Sequence, residues 1–461
     1  MYYILNDHIA LRAWHLVPYA YYSRTLPTAR YLSRNEFETL QKCDGITDMP
    51  FSNVIESLIK RGFISQCMKG EKSLTQWQKY MYCDNRYFPR MNWMITGRCN
   101  YNCLHCFNAV DNAPLQAEWT FDEAWCLLDE AQKCGIHAFT ITGGEPMLHK
   151  HFLEIIKNIY SRGMCVEEIN TNGFFITKEM LNSFKEIGAY PIIKISFDGI
   201  GYHDWMRNKN GAEKATIAAI RLCVDSGFTV KVQTNVNKMN CASLCETMEF
   251  LNNIGVKQTR IIRTTESPRW RSNANGMTLG VEEFYDLILS FLNTYQMKAK
   301  RMSINIWQFV TIDPESKSFC LNPVICNEGE YRNSIPTCIS NRGMIAISSN
   351  GNVYPCHQVS GVYDEMHIEV ENVKKRSLQQ ILQYGKYINE VCSTVGNLSA
   401  VNSECGECEF FKYCLGGCRA VALIYNKHNY GKDPTKCIFF KKGYYKKIIK
   451  IFSDWTNLSI M

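Results

Sequence analysis

Three cysteines fall within eight residues in the stretch CNYNCLHC, which runs from Cys99 through Cys103 to Cys106. Soft sulfur ligands of this kind select zinc or iron–sulfur clusters. Three thiolates leave one metal position open, and an open position is typical of a catalytic rather than a structural site. The spacing favours an iron–sulfur cluster, with a zinc site completed by His105 as the alternative.

The cysteine content of the whole chain points in the same direction. There are 22 cysteines among 461 residues, and the opening MYYILNDHIALRAW lacks the basic start, long apolar run and small-residue cleavage site of a signal peptide. In a long cytosolic chain, clustered cysteines indicate metal binding or catalysis rather than disulfides. We therefore expect a cytoplasmic protein.

Composition excludes some partners. No segment approaches about 18 consecutive apolar residues, so no membrane span is expected. The net charge of +7 is mild for this length. It is compatible with anionic clusters or an acidic peptide, and it does not require nucleic acid.

The elements that must position these cysteines follow an alternating pattern from residue 91 onward. Amphipathic helical segments, each closed by a glycine, separate strand-like segments, and glycine is favoured just past a helix C-terminus. This alternation predicts an α/β fold with a parallel sheet and right-handed crossovers. Six units predict a partial (β/α)6 TIM-like barrel rather than a full eight-fold one. The six strand-like segments are MNWMIT, AFTIT, VEEIN, IIKISF, TVKVQT and TRIIRT.

A polar or glycine-rich motif follows each predicted strand. The carboxyl ends of parallel strands are where barrel active sites are built, so these motifs are expected to meet around one site. After the cysteine stretch they are GGEP (143–146), NTNG (170–173), SFDG (196–199), TN (234–235) and RTTE (263–266).

Between about residues 90 and 310 the cysteine spacing, together with GGEP, TNG and SFDG, resembles the radical S-adenosylmethionine (radical SAM) enzymes. The resemblance implies that Cys99, Cys103 and Cys106 hold a [4Fe–4S] cluster whose fourth iron chelates the amino and carboxylate groups of S-adenosylmethionine. One-electron reduction, from a flavodoxin- or ferredoxin-type donor, then yields a 5′-deoxyadenosyl radical that abstracts hydrogen from the substrate. The cofactor carries the chemistry and the protein positions it.

The same resemblance suggests residues that bind the cofactor. Gly143 and Gly144 would let the backbone approach the methionyl amino group, as only glycine can, and Glu145 would offer a carboxylate there. Ser196 is expected at the ribose or the methionyl group, and Arg207 as a clamp on the carboxylate. Asp198 belongs either to this site or to a turn.

The C-terminal region has a second set of cysteines, with a Cys-x12-Gly-x4-Cys pattern ending at Cys356 and a dense group after residue 404. A zinc ribbon would explain the quartet 405–418 alone. The whole array resembles the SPASM extension of radical SAM enzymes, which implies two auxiliary [4Fe–4S] clusters and three clusters in total. One auxiliary cluster would use Cys405, Cys408, Cys414 and Cys437. The other would use Cys338, Cys356 and Cys418, with Cys326 or Cys320 as fourth ligand.

One position departs from the sulfatase-maturating members of that family. They carry an aspartate after the second cysteine of the array, and here His357 follows Cys356. This departure argues against sulfatase maturation.

Residues 1–85 form a separate module in the sequence. Two strand-like runs precede a helix that begins at Ser33, which has capping-box spacing to Glu36, and a second helix ends at Gly62. This order predicts a winged-helix module that recognises a leader peptide; a docking cap for the barrel is the alternative. We expect the barrel over 86–315 and the SPASM domain over 316–461.

Taken together, these features predict an enzyme that matures a ribosomally made precursor peptide by hydrogen abstraction, forming a thioether or carbon–carbon cross-link. A sulfatase-maturase-like oxidase of protein residues is the second hypothesis. A zinc-stapled regulator that binds DNA through the N-terminal module is the third, and iron and sulfide content would distinguish it.

Overall fold

A single twelve-stranded sheet runs through most of the chain, and the six predicted barrel strands are consecutive at its centre. The computed structural model describes residues 1–15, 17–24, 29–107, 117–295, 297–321, 333–337, 343–386, 388 and 393–458. In chain order the strands are β1 (Tyr2–Leu5), β2 (Ile9–Trp14), β3 (Val17–Ser23), β4 (Arg30–Tyr31), β5 (Ile64–Cys67), β6 (Met81–Cys83), β7 (Arg90–Met94), β8 (Ala138–Thr142), β9 (Cys165–Thr171), β10 (Ile192–Ser196), β11 (Val230–Val236), β12 (Gln258–Arg263), β13 (Ser303–Ile306), β14 (Val310–Asp313), β15 (Ser318–Leu321), β16 (Met344–Ile347), β17 (Val353–Tyr354) and β18 (Thr456–Asn457).

Helices connect the central strands and cover one face of the sheet. The N-terminal module precedes them with α1 (Arg34–Gln41) and α2 (Asn53–Lys60). Between β7 and β13 lie α3 (Phe121–Lys133), α4 (Phe152–Ser161), α5 (Lys178–Ile187), α6 (His203–Arg207), α7 (Ala212–Asp225), α8 (Leu244–Asn253), α9 (Pro268–Asn273) and α10 (Val281–Thr294). The C-terminal region begins its helices with α11 (Ser360–Glu365) and α12 (Leu378–Tyr384). The C-terminal region adds short helices at Val395–Val401, Ser403–Gly406, Phe411–Cys414, Arg419–Asn426, Pro434–Lys441 and Tyr444–Ile451.

Strands β7 to β12 pair in parallel with their sequence neighbours, which confirms the predicted partial barrel. Strand β13 continues the sheet in parallel, and β14 and β15 turn back antiparallel. At the other edge, β16 from the C-terminal region pairs in parallel with β7. The sheet therefore crosses the boundary expected near residue 315, and the C-terminal region is joined to both barrel edges.

The two faces of the barrel strands differ in chemistry. Residues under the helices are apolar and fully buried, for example Ile141, Ile169 and Ile193. Because strand side chains alternate between faces, the residues between them face the lumen, and among these are Lys194 and Gln233, which line a cavity. The lumen is thus polar, unlike the packed apolar interior of a closed eight-stranded barrel.

The N-terminal module has its own core and also packs on the barrel. Its predicted elements are present, including the capping box of Ser33 with Glu36, while the sequence missed β3, β4 and β6, which form a four-stranded sheet with β2. The Tyr22 hydroxyl donates to the Gly135 carbonyl at 2.6 Å. Gly135 has φ +74°, and a Cβ there would lie 2.5 Å from the Trp14 ring. The module therefore docks at the amino-terminal side of β8; its assignment as a winged helix stays a prediction.

Within the described residues, no helix is long and apolar enough to cross a membrane. Two predicted cluster ligands, Cys326 and Cys338, lie outside the described residues.

Candidate functional site

A cavity of about 790 Å³ lies at the carboxyl ends of the barrel strands and reaches into the C-terminal region. Of the predicted site residues, the cavity lining brings together Cys99, Cys103, Cys106, Gly143, Gly144, Ser196, Arg207, Cys356, Cys414 and Cys418. Glu145 and Asp198 are buried beside the cavity and do not line it.

The cysteine loop is held by backbone and charge contacts. The Cys99 thiol accepts a hydrogen bond from the Tyr101 backbone N–H at 3.4 Å. Burial, and then the neighbouring Cys103 thiol, raises the pKa of Cys99 to about 12. An isolated Cys99 thiol therefore keeps its proton at neutral pH, and metal binding has to displace that proton.

No three His, Cys, Asp or Glu side chains in the described ranges are arranged to hold one metal ion. A four-iron cluster does not need such an arrangement, because each of its cysteine ligands binds a different iron atom.

The two glycines of GGEP pack directly on the cysteine loop. A Cβ on Gly143 would lie 2.6 Å from the Thr96 carbonyl oxygen, and one on Gly144 would collide with the Arg98 carbonyl. The Gly144 N–H donates to Thr96 O at 2.7 Å, and the Glu145 N–H donates to Arg98 O at 2.8 Å. Glycine is therefore required here by the close approach of two loops, whatever the cofactor contributes.

Glu145 joins two strand ends. Its carboxylate accepts hydrogen bonds from the Thr171 hydroxyl at 2.7 Å and the Asn172 backbone N–H at 2.8 Å. Burial raises the pKa of Glu145 to about 7, against the lowering effect of these hydrogen bonds. In this conformation the side chain braces the loops after β8 and β9, and its contact with a cofactor stays a prediction.

Arg207 is the buried cation nearest the cysteine loop. Its Nε lies 2.8 Å from Asp198 Oδ2, and both side chains are almost fully buried. Its Nη1 donates to Cys103 Sγ at 3.7 Å. Burial alone would raise the pKa of Asp198, but Arg207 and the His203 hydrogen bond hold it well below its ordinary value. Asp198 thus holds Arg207 in place, and its assignment to the cofactor site stays a prediction.

Sequence reasoning named His105 and Asn235 but missed Asn100, and it did not predict the contacts that these polar residues make around the cysteine loop. Asn100 accepts from the Asn172 side-chain amide at 2.8 Å, and Asn235 lies 3.1 Å from Nε2 of His105. Burial, and then Arg207, lowers the pKa of His105 to about 3, so its ring is neutral. Asn100 and His105 lie between the cysteines, so their position in CNYNCLHC was the available signal.

The C-terminal cysteines form two neighbouring groups. Cys405, Cys408 and Cys414 share one hydrophobic cluster, and Cys405 acts electrostatically on both Cys414 and Cys437. The four thiols predicted to hold one auxiliary cluster are therefore neighbours.

Of the other predicted auxiliary set, Cys356 and Cys418 pack in a common cluster. Asp433, which the sequence analysis did not identify, links the two groups: it accepts from the Cys418 N–H at 2.8 Å and caps the helix that carries Cys437.

His357 also lines the cavity. Its Nε2 lies 3.2 Å from the Asn92 carbonyl, so this nitrogen carries the proton. Burial lowers the pKa of His357 to about 4. The ring is therefore neutral at physiological pH.

Replacing Cys408 by alanine should lower the iron content by about four atoms per chain, because one thiolate of a four-iron cluster is lost. The C-terminal third should also become more sensitive to protease, since metal binding there contributes folding free energy. Iron analysis and limited proteolysis measure both effects. The exposed Cys126→Ala is the matched control, and unchanged iron in Cys408→Ala would contradict the ligand assignment.

Two family models match the chain in the regions just described. Residues 93–251 match the radical SAM superfamily, and residues 338–409 match the SPASM iron–sulfur cluster-binding domain. The chain is a radical SAM protein with a SPASM domain. The family resemblance inferred from the cysteine spacing is thereby confirmed.

Curated relatives of this radical SAM protein include an AdoMet-dependent heme synthase of Methanosarcina barkeri, 25% identical and covering 76% of this chain and 97% of the relative. A PqqA peptide cyclase of Granulibacter bethesdensis is 22% identical over 71% of this chain and 82% of its own length. Both are similar over most of their own sequences.

Solved structures resemble the fold over a greater length. Streptococcus suis SuiB bound to its precursor peptide SuiA has a TM-score of 0.63 at 14% identity, covering 94% of this chain and 98% of SuiB. The anSMEcpe structure with bound AdoMet has a TM-score of 0.56 at 13% identity, covering 79% of this chain and 97% of that one. These matches confirm the predicted α/β partial barrel with a C-terminal cysteine-rich domain.

The residues around the cavity fit the cofactors that the radical SAM and SPASM domains imply. Three thiols converge beside a buried arginine, and the Nη2 of Arg207 has no hydrogen-bond partner among the described residues. A buried guanidinium with a free donor suits a carboxylate such as that of S-adenosylmethionine. The number of clusters stays a prediction.

Proposed function

We propose that this radical SAM protein matures a ribosomally made precursor peptide, forming a thioether or carbon–carbon cross-link. The single observation that carries the proposal is the likeness to SuiB, which covers 94% of the chain. The part of the chain that SuiB does not cover is shorter than the N-terminal module, so the likeness extends into that module. SuiB was solved with a precursor peptide, and related anSMEcpe structures contain bound peptides.

The cavity supplies what such a reaction needs. Cys99, Cys103 and Cys106 would hold the cluster that binds S-adenosylmethionine, and this pair would supply the radical chemistry that removes one hydrogen atom from the peptide. A cross-link requires a second hydrogen to leave as a proton and an electron, and the proposed auxiliary clusters would accept the electron. Arg207 would orient the cofactor carboxylate, and Cys356 and Cys418 would place one auxiliary cluster against the same cavity.

We assign residues 1–85 to leader recognition, in front of a barrel over 86–315 and a SPASM domain over 316–461. A leader would add as a strand to an exposed sheet edge of the module. Strand β4 forms one edge of its four-stranded sheet, and Tyr31 on that strand is 68% exposed. An exposed aromatic at a free edge is a favourable anchor for a peptide.

Tyr31→Asp should weaken binding of the full-length precursor by roughly tenfold, because the aromatic anchor is lost and a charge is introduced. Production of 5′-deoxyadenosine without substrate should not change. Fluorescence anisotropy with labelled precursor measures binding. Tyr384→Asp, at a residue 76% exposed on α12, is the matched control. Equal affinity of both variants for the precursor would refute recognition at this edge. Deleting residues 1–85 is a weaker test of leader recognition, because the deletion also exposes the barrel surface that Trp14 and Tyr22 cover.

The function itself is tested with the anaerobically reconstituted enzyme, a reductant and, as candidate precursors, synthetic peptides translated from any short reading frames found next to its gene. The expected product is a peptide lighter by two hydrogens, with one 5′-deoxyadenosine formed per cross-link. A peptide left unchanged while 5′-deoxyadenosine accumulates would contradict the proposal. Conversion of a sulfatase-type Cys or Ser peptide to formylglycine would instead support the protein-residue oxidase.

A second candidate function is modification of a haem precursor, favoured by the 25% identity to the heme synthase over 97% of that relative. The same assay with an iron porphyrin carrying carboxylate side chains distinguishes the two. Porphyrin turnover in the absence of peptide turnover would select this candidate.

A further inference from the structure

The barrel lumen contains more positive than negative charge. Lys194 lies on β10, in register with Lys231 of β11, and Lys194 and Arg260 line the cavity. The carboxylate facing these cations is Glu168, whose Oε1 lies 3.0 Å from Lys194 Nζ. Glu168 is thus shared by Lys194 and Arg260, and Lys231 acts electrostatically on Lys194.

Arg260 has a buried donor that is available to a ligand. Its Nε is buried without a hydrogen-bond partner among the described residues. Its guanidinium lies over the Trp307 ring, 5.7 Å from the centroid, which limits its orientations. Burial lowers the pKa of Arg260, with Glu168 and Cys418 acting in the opposite direction. A partly desolvated cation with a free donor gains free energy when an anion binds.

The position of Arg260 relates it to the cofactor site. Ser196, Gln233 and Arg260 are register partners across three adjacent strands. Two strand spacings place Arg260 roughly 10 Å from the predicted cofactor contact Ser196. A group bound by Arg260 would therefore lie in the same cavity as the reacting end of the cofactor.

We propose that Arg260, supported by Lys194 and Lys231, binds a carboxylate of the substrate inside the barrel lumen. This inference rests on the proposed function, because it takes the molecule bound at Arg260 to be the substrate of that reaction. An acidic side chain or C-terminus of a peptide has this chemistry, and so does an acid side chain of a porphyrin. Glu168 competes for the same cations and sets the strength of the site.

The test uses reconstituted holoenzyme with saturating S-adenosylmethionine and two small probes, glutarate and its uncharged analogue glutaramide. Saturation-transfer NMR should detect glutarate and not glutaramide. Arg260→Gln should weaken glutarate binding by about tenfold or more, as expected for a lost charged hydrogen bond. Glu168→Gln should strengthen it, because the competing carboxylate is gone. Arg271→Gln, an exposed arginine paired with Glu365 outside the cavity, is the control.

The outcomes separate the alternatives. Equal binding of both probes, or glutarate affinity unaffected by Arg260→Gln and Glu168→Gln, would overturn the proposal. Glutarate binding that is present in a parallel sample without S-adenosylmethionine and absent with it would assign Arg260 to the cofactor instead. An altered auxiliary-cluster EPR signal in Arg260→Gln with unchanged glutarate affinity would assign it to the cluster near Cys418. If Arg260→Gln fails to fold, the glutarate affinity of Arg260→Lys and the stronger glutarate binding expected in Glu168→Gln still decide the question.

A blocked pentapeptide with one glutamate among glycines, compared with its glutamine version, tests the link to peptides. Preference for the glutamate peptide, lost in Arg260→Gln, supports both proposals. Glutarate binding with the expected variant pattern, but no binding of the peptide, would leave the carboxylate site standing and count against the peptide substrate.

Discussion

Replacing Cys99, Cys103 and Cys106 together by alanine should abolish formation of 5′-deoxyadenosine. The three thiols lie on one loop that lines the cavity, and the proposal assigns the cluster these three protein ligands. The protein should still fold, because the three side chains are only partly buried and the glycine contacts of the loop are made by backbone. Chromatography of reaction mixtures containing reductant and S-adenosylmethionine measures the product.

The iron content of the triple variant provides the control. It should fall by about four atoms per chain, while the iron bound by the C-terminal cysteines remains and the circular dichroism spectrum is unchanged. Continued formation of 5′-deoxyadenosine in such a folded variant would refute the assignment of the catalytic cluster to this loop.

Replacing Arg207 by methionine should both weaken cofactor binding and destabilise the barrel. Loss of charged hydrogen bonds to the cofactor carboxylate is expected to raise KM for S-adenosylmethionine by about 10- to 100-fold. Asp198 would be left buried without its cation, at a cost of about 3 kcal/mol. Arg207→Lys keeps the positive charge but lacks the planar guanidinium that donates paired hydrogen bonds. It should therefore restore the stability of the barrel more fully than the affinity for the cofactor.

The pH dependence of the Arg207→Met defect identifies its cause. In the wild type the pKa of Asp198 is depressed, so this carboxylate stabilises the fold at neutral pH and loses that effect only in acid. In the variant, burial without the arginine raises the pKa of Asp198, and protonation then relieves the defect. The stability difference measured by urea unfolding should therefore shrink as pH falls from about 8 toward about 5.5. A pH-independent difference would show that lost packing, rather than the unpaired carboxylate, causes the defect.

Local patterns in the sequence were sufficient to predict the architecture. Each of the six predicted strands forms, in the predicted order, because alternation of β-prone runs with amphipathic helices is a local property. The glycines that close the helices do adopt positive φ, for example Gly188 at +76° and Gly227 at +84°. The C-terminal strand β16 was not anticipated beside β7, since its partner is more than 200 residues away and no local pattern encodes such a pairing.

The cysteine spacing together with the motifs GGEP, TNG and SFDG indicated the family, because residue identity and separation within short motifs are fixed by the sequence. Only the tertiary structure decided what the flanking residues do. Glu145 turns to the end of β9 because its hydrogen-bond partners lie there, and Asp198 supports Arg207 because the short helix α6 brings that arginine back to it. The cationic lumen around Arg260 likewise arises where strands far apart in sequence align in register. A sequence shows which residues are charged. Whether positive charges outnumber negative ones in the lumen depends on which side chains the fold brings together.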